Sequence, residues 1–227
     1  MADAFGIDRT AALARVDSGQ VGSIRWTTVN GIGRRFVCAP CNNGWMNALE
    51  HEMATASLWT SSSDEPLGEH RAQVVRNWAF KTHLILCYVE GNAGKFADPD
   101  VDDAVVPPLS LARAIYEKRY DDLAELAVGL AINGASTDFA YEFGTPGVMT
   151  VGGVERKNGI TAPASIISIG RLQMWVVTPL PIGFNLFVAD GVKACEASVT
   201  VNELPPLDAV GNLRQIRVDY EDEWPSP

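Results

Sequence analysis

The sequence predicts an α+β protein: a β-hairpin, a helix behind a Cys-x-x-Cys turn, two further helices, and then an antiparallel β-sheet region. Three observations predict it. A β-rich run ends on Asn30-Gly31, apolar residues recur at helical spacing between Trp45 and Tyr120, and beyond about residue 128 short β-rich runs alternate with Gly and Pro turns. The change of character falls near residue 125. It separates a mainly helical region, 1–125, from a β-rich region, 126–227, and the two can also form one continuous domain.

Residues 22–29 alternate and are rich in β-branched and aromatic types, so they read as a strand. Asn30-Gly31 is a strong hairpin signal. Arg34-Arg35-Phe36-Val37 then reads as the returning strand, which leads into Cys38-Ala39-Pro40-Cys41. After Cys41 the period changes. Trp45, Leu49, Met53 and Ala56 fall at i, i+4, i+8 and i+11, which gives a helix with one apolar stripe, and Asn42 or Asn43 can cap it.

A loop over 60–68 precedes a second helix from about Glu69 to Tyr88. There Val74, Trp78, Thr82, Ile85 and Val89 share a face, and Val75, Ala79 and Leu86 widen it, so this helix is expected at the centre of the fold. Residues 91–107 read as a connection, and Pro108 to Tyr120 as a third helix with proline at its tolerated first position. The expected sheet strands are Phe139–Phe143, Val148–Val151, Ser165–Leu172, Met174–Thr178, Phe184–Ala189 and Ile216–Tyr220.

A chain of 227 residues, 47% of them hydrophobic, is long enough to build a core without staples. It has no apolar run of about 20 residues, so no membrane span or membrane partner is expected. The start, Met1-Ala2-Asp3-Ala4-Phe5, lacks the basic and apolar stretches of a signal peptide. Four cysteines in this length do not make a disulfide framework. A reduced, cytoplasmic setting is expected, with the close pair as a metal or redox candidate.

The formal net charge of −10 argues against a generic nucleic-acid coat, which needs Lys and Arg for phosphate. The charge is uneven, however. Residues 1–53 hold Asp3, Asp8, Asp17, Glu50 and Glu52 against Arg9, Arg15, Arg25, Arg34 and Arg35, and so balance. The excess acid follows, and Asp219-Tyr220-Glu221-Asp222-Glu223 reads as a solvated tail.

The Cys38/Cys41 pair is the one dense chemical motif. Its spacing lets both sulfurs face a single tetrahedral metal across a tight turn, but it is half of a four-ligand zinc site. Unliganded thiols and a redox pair are the other readings. A Cys-x-Pro-Cys turn opening a helix lowers the first thiol's pKa, whereas the preceding hairpin disfavours a thioredoxin-like βαβ start. His51 is a candidate third ligand or an exposed helix histidine. His83 is expected packed or bonded in the core, Cys87 and Cys195 as buried thiols, and Trp45, Trp78 and Trp175 as core. Arg34 and Arg35 are the candidate phosphate contacts; adjacent on a strand, they point to opposite faces, so at most one can serve.

The string from Arg35 through Cys38-Ala39-Pro40-Cys41-Asn42-Asn43-Gly44-Trp45-Met46 to Leu49-Glu50 resembles the closing half of a treble-clef HNH endonuclease module. Farther on, Asn77-Trp78-Ala79-Phe80-Lys81-Thr82 is similar to the Trp-Ala-x-Lys-Thr helix that follows in such proteins. The likeness covers about residues 34–88. It implies that Cys38 and Cys41 ligate structural zinc and that Asn42 stands at the last motif position, near a catalytic divalent metal such as magnesium. It also implies DNA as a partner.

Two departures bear on activity. The family has an earlier Cys-x-x-Cys and, between the knuckles, a histidine that activates water. Here neither residue type precedes Cys38, and the first histidine is His51. The family's middle asparagine falls where this chain has Gly33, with Asn30 the nearest substitute. Phosphodiester hydrolysis needs a base and a metal that stabilises the developing charge. The expectation is therefore a nucleic-acid-directed protein that does not cut by itself. Either a longer natural product supplies the first half, or the module has become a scaffold, and a protein partner or second copy could complete the zinc site. A non-catalytic protein-binding module and a thiol redox protein are the alternatives.

Overall fold

The computed structural model describes residues 10–17, 20–28, 39–61, 64–91, 109–119, 128–134, 139–144, 148–151, 154–156, 164–177, 185–187, 192–207 and 217–220. These form an α+β arrangement of helices packed on a largely antiparallel sheet. The strands are β1 (Thr10–Asp17), β2 (Gln20–Thr28), β3 (Val128–Asn133), β4 (Phe139–Gly144), β5 (Val148–Val151), β6 (Val154–Arg156), β7 (Ala164–Ile169), β8 (Leu172–Val177), β9 (Asn185–Phe187), β10 (Lys193–Ala194), β11 (Pro206–Leu207) and β12 (Arg217–Tyr220). The helices are α1 (Asn47–Ser57), α2 (Glu69–Gly91) and α3 (Leu109–Tyr116).

The larger sheet runs β10-β3-β8-β7-β4-β1-β2, with β11 also on β3. Its pairings are antiparallel except β1 with β4 and β11 with β3. A smaller sheet, β6-β5-β12-β9, contains one parallel pairing, β12 with β5. The expected strand over 22–29 is present as β2. Its partner among the described residues is β1, which precedes it, with Ala14 opposite Ile24 and Thr10 opposite Thr28. The predicted Asn30-Gly31 turn and the returning strand over 34–37 lie outside the described residues. Through β1 and β4, strands from both sides of residue 125 share one sheet.

The run expected as one strand, Ser165–Leu172, is a hairpin instead. β7 ends at Ile169, Gly170 and Arg171 turn, and β8 starts at Leu172, opposite Ile169. Gly170 has a φ of +52°, the positive value that a two-residue hairpin turn of this kind needs at its first position.

Alternation along β3, β4, β7 and β8 sends Leu130, Tyr141, Phe143, Ile167, Ile169, Leu172, Met174 and Val176 into one core with α1 and α2. The opposite face of these strands is buried too: Ala131, Ile166 and Trp175 are wholly inaccessible. Helix α2 is enclosed on nearly every side, with Ala72, Val75, Trp78 and Ala79 fully buried. It is therefore the central element, as its apolar girth requires. Main-chain bonds from Leu67 N to Val199 O (2.8 Å) and Gly68 N to Ala197 O (2.9 Å) tie its approach to the β10–β11 connection. Among the described residues, no helix is long and apolar enough to cross a membrane.

Candidate functional site

The Cys-x-x-Cys segment enters the described structure at Ala39. A short helical turn, Ala39–Cys41, passes into a wider turn over Asn42–Met46 before α1 begins. Gly44 breaks helical geometry there, with φ −97° and ψ −113°, while the Asn47 N–H donates back to the Gly44 carbonyl.

The turn sorts its side chains by burial. Cys41 is half-buried, Asn42 and Asn43 are exposed, Trp45 is half-buried against the core, and Met46 is buried. Asn42 Nδ2 donates to Asn43 Oδ1 at 3.4 Å. Behind the turn, Leu49, Met53 and Ala56 continue the predicted stripe into the core. His51 stands on the exposed side of α1, where its carbonyl accepts from Thr55 Oγ1 at 3.2 Å. Cys38, Arg34 and Arg35 lie outside the described residues. Of the expected metal donors, the described structure therefore holds Cys41 and His51. Among the described residues, no three His, Cys, Asp or Glu side chains gather as a metal-binding group. A tetrahedral zinc needs four donors. Cys41 fits such a site as one thiolate, and the described residues do not complete it.

The segments around Glu50 and Lys81 meet in the core. Glu50, on α1, accepts a hydrogen bond from Lys81 Nζ, on α2, at 2.8 Å. The Lys81 side chain is 2% exposed and that of Glu50 11%, so the pair is buried. The ammonium also lies 5.3 Å from the centroid of the Trp78 ring, in cation–π range. Burial drives Lys81 below the ordinary lysine range, with Glu50 opposing it. Burial also raises Glu50, while the Lys81 charge and hydrogen bond lower it, and the carboxyl lies below the ordinary range. Two polar atoms of the same segments, Trp45 Nε1 and Thr82 Oγ1, are buried with no hydrogen-bond partner among the described residues. Buried polar atoms are rarely left so, and each marks a place where a partner is wanted.

Sequence reasoning quoted Glu50 and Lys81 separately and did not pair them. The signal was available: a lysine inside a helix that is apolar nearly all round must be neutralised by something packed against it.

Two residues beyond Lys81, α2 presents a different polar group to the sheet. His83 Nδ1 lies 2.7 Å from Ser165 Oγ on β7, and Cys87 Sγ lies 3.6 Å from His83 Nε2. All three residues are buried. The Phe143 ring tilts beside the imidazole, 6.3 Å between centroids. Burial pushes the His83 pKa down to about 3, so the ring is neutral, with one nitrogen a donor and the other an acceptor toward Ser165 and Cys87. Cys195 is also buried, its Sγ donating to the Ala72 carbonyl at 3.6 Å, and burial pushes its pKa up to about 12.

Comparison with protein-family models, with curated proteins and with solved structures finds no match.

Proposed function

We propose that this chain is a knuckle protein built like the closing half of an HNH endonuclease module, that it is directed to nucleic acid, and that by itself it binds without cutting. The observation that carries the reading is the Glu50–Lys81 pair at 2.8 Å. It joins, in one buried contact, the two sequence segments in which the HNH likeness resides. A turn kinked at Gly44, with Asn42 and Asn43 exposed at the head of the helix, is compatible with the same reading. In it, Cys38 and Cys41 would supply thiolates to a structural zinc, whose chemistry is to fix the turn, with the remaining donors coming from beyond the described residues. Asn42 would face the nucleic-acid side. Arg34 or Arg35 would contact phosphate.

Cleavage would require a general base and a charge-stabilising metal. No histidine precedes Cys38 in these 227 residues, and His51 projects from the exposed side of α1. Hence binding, not hydrolysis, is assigned to this chain. The formal charge of −10 favours a second reading, a protein-binding module that keeps the fold, because an acidic surface opposes phosphate.

The test is an anisotropy titration with single- and double-stranded DNA at low salt, run beside a nicking assay in magnesium and in manganese. The proposal expects salt-sensitive binding, weakened by Arg34→Ala or Arg35→Ala but not equally by both, and no strand cleavage. Metal-dependent nicking lost in Asn42→Ala would overturn the non-cutting assignment. Absence of binding at any salt would overturn the nucleic-acid assignment and favour the protein-binding module.

A further inference from the structure

The knuckle helix α1 rests on α2 through a single apolar stripe, Met46, Leu49, Met53 and Ala56. Such a stripe repeats every turn, so by itself it specifies contact but not register. A slide of one helical turn, about 5.4 Å, would still place apolar on apolar.

The Glu50–Lys81 pair removes that freedom. With Lys81 2% exposed, any shift of α1 along α2 would leave an ammonium and a carboxylate buried apart from each other. A buried ion pair adds little net stability over an apolar pair of similar size, because desolvation offsets the attraction. Specifying one arrangement is its best-attested use. Trp78 flanks the ammonium at 5.3 Å and narrows the positions it can take. The other anchors of the turn do not do this. Trp45 is half-buried with an indole N–H that meets no partner among the described residues, and Asn42 and Asn43 are exposed.

We infer that Glu50 and Lys81 are positioning residues that lock the register of α1 on α2 and thereby fix the Cys41–Met46 turn in space. This assignment stands whether or not the turn holds a metal or meets nucleic acid.

The experiment is amide hydrogen exchange, read by peptide over residues 39–57, in the full chain and in Glu50→Met/Lys81→Met, beside the global unfolding midpoint. The double variant is expected to keep its midpoint, because the apolar pair replaces the charges, while exchange over 39–46 accelerates at least about tenfold. Unchanged exchange over 39–46 in a folded double variant would overturn the inference. Should the double variant not fold, Glu50→Asp keeps both charges and shortens the reach by one methylene. It is expected to accelerate the same peptides and no others, and wild-type exchange there would equally overturn the inference.

Discussion

Among the polar residues that helix α2 buries, Lys81 and His83 stand two residues apart and are treated oppositely. Toward α1 it buries Lys81, charged and held by Glu50. Toward the sheet it buries His83, neutral and held by Ser165 and Cys87. The difference follows from what each side joins. The sheet side packs α2 on strands that main-chain bonds hold to one another, from Ala164 opposite Val177 to Ile169 opposite Leu172. A neutral network suffices there. The α1 side joins two helices, whose main-chain bonds are internal and cannot set register. There a charged pair supplies the specificity, at a cost in desolvation.

Several substitutions can break or sharpen that contrast. The largest effect is expected at Lys81. Lys81→Met removes the buried cation that faces the Glu50 carboxylate and should cost about 3–5 kcal/mol in urea unfolding, most of it recovered in Glu50→Met/Lys81→Met. A loss below about 1 kcal/mol in the single variant would show that Glu50 swings out to water and that the pair is not a clamp.

The neutral side should reveal itself through acid. Folding lowers the His83 pKa from 6.5 to about 3. Between these values the unfolded chain takes up a proton that the folded chain refuses. This stability is therefore full above pH 6.5 and is lost as pH falls toward 3, with a slope of up to about 1.4 kcal/mol per pH unit. Glu50, also lowered, adds to the loss below the ordinary carboxylate value of 4.5. Unfolding midpoints at pH 7 and pH 5 should differ in the wild type and converge in His83→Gln. Equal midpoints in the wild type would mean that the ring is not held neutral.

A smaller change of opposite sign is expected at Thr82. Its buried hydroxyl meets no partner among the described residues, so Thr82→Val should raise stability by about 1 kcal/mol. A loss of similar size would reveal a partner for that hydroxyl. At the bottom of the scale lies the exposed Arg113–Glu117–Arg119 group, whose contacts of 2.7 and 2.8 Å sit in solvent. Glu117→Gln should leave the thermal midpoint unmoved, and a clear shift would show that α3 is held by charge rather than by Ala114 and Ile115.

Much of this architecture is legible in the sequence, for reasons that can be named. The helix expected over 69–88 is present as α2 because apolar residues surround it, and the stripe from Leu49 to Ala56 is found buried because it keeps helical spacing. β1 was not legible. Thr10–Asp17 contains three alanines, poor strand formers, and it is extended because β2 and β4 pair with its two edges. Gly170 shows a subtler failure. A lone glycine in a β-rich run is compatible with a bulge or a turn, and only pairing across Ile169 and Leu172 decides for the turn. The site divides in the same way. Type and spacing single out Cys41, Asn42 and His51 as candidates, whereas the Glu50–Lys81 contact spans 31 residues and depends on how two helices cross.

In the proposed function the turn after Cys38 is a metal knuckle. Its most direct test is zinc content per chain by elemental analysis, on protein purified without chelator, with Cys38→Ser and Cys41→Ser as controls. About one zinc per chain, lost in both variants, is the predicted result, and it would send the search for the remaining donors to other parts of the chain or to a second copy. No zinc, with both thiols free to react, would contradict the knuckle and leave the turn as a scaffold held by Glu50 and Lys81.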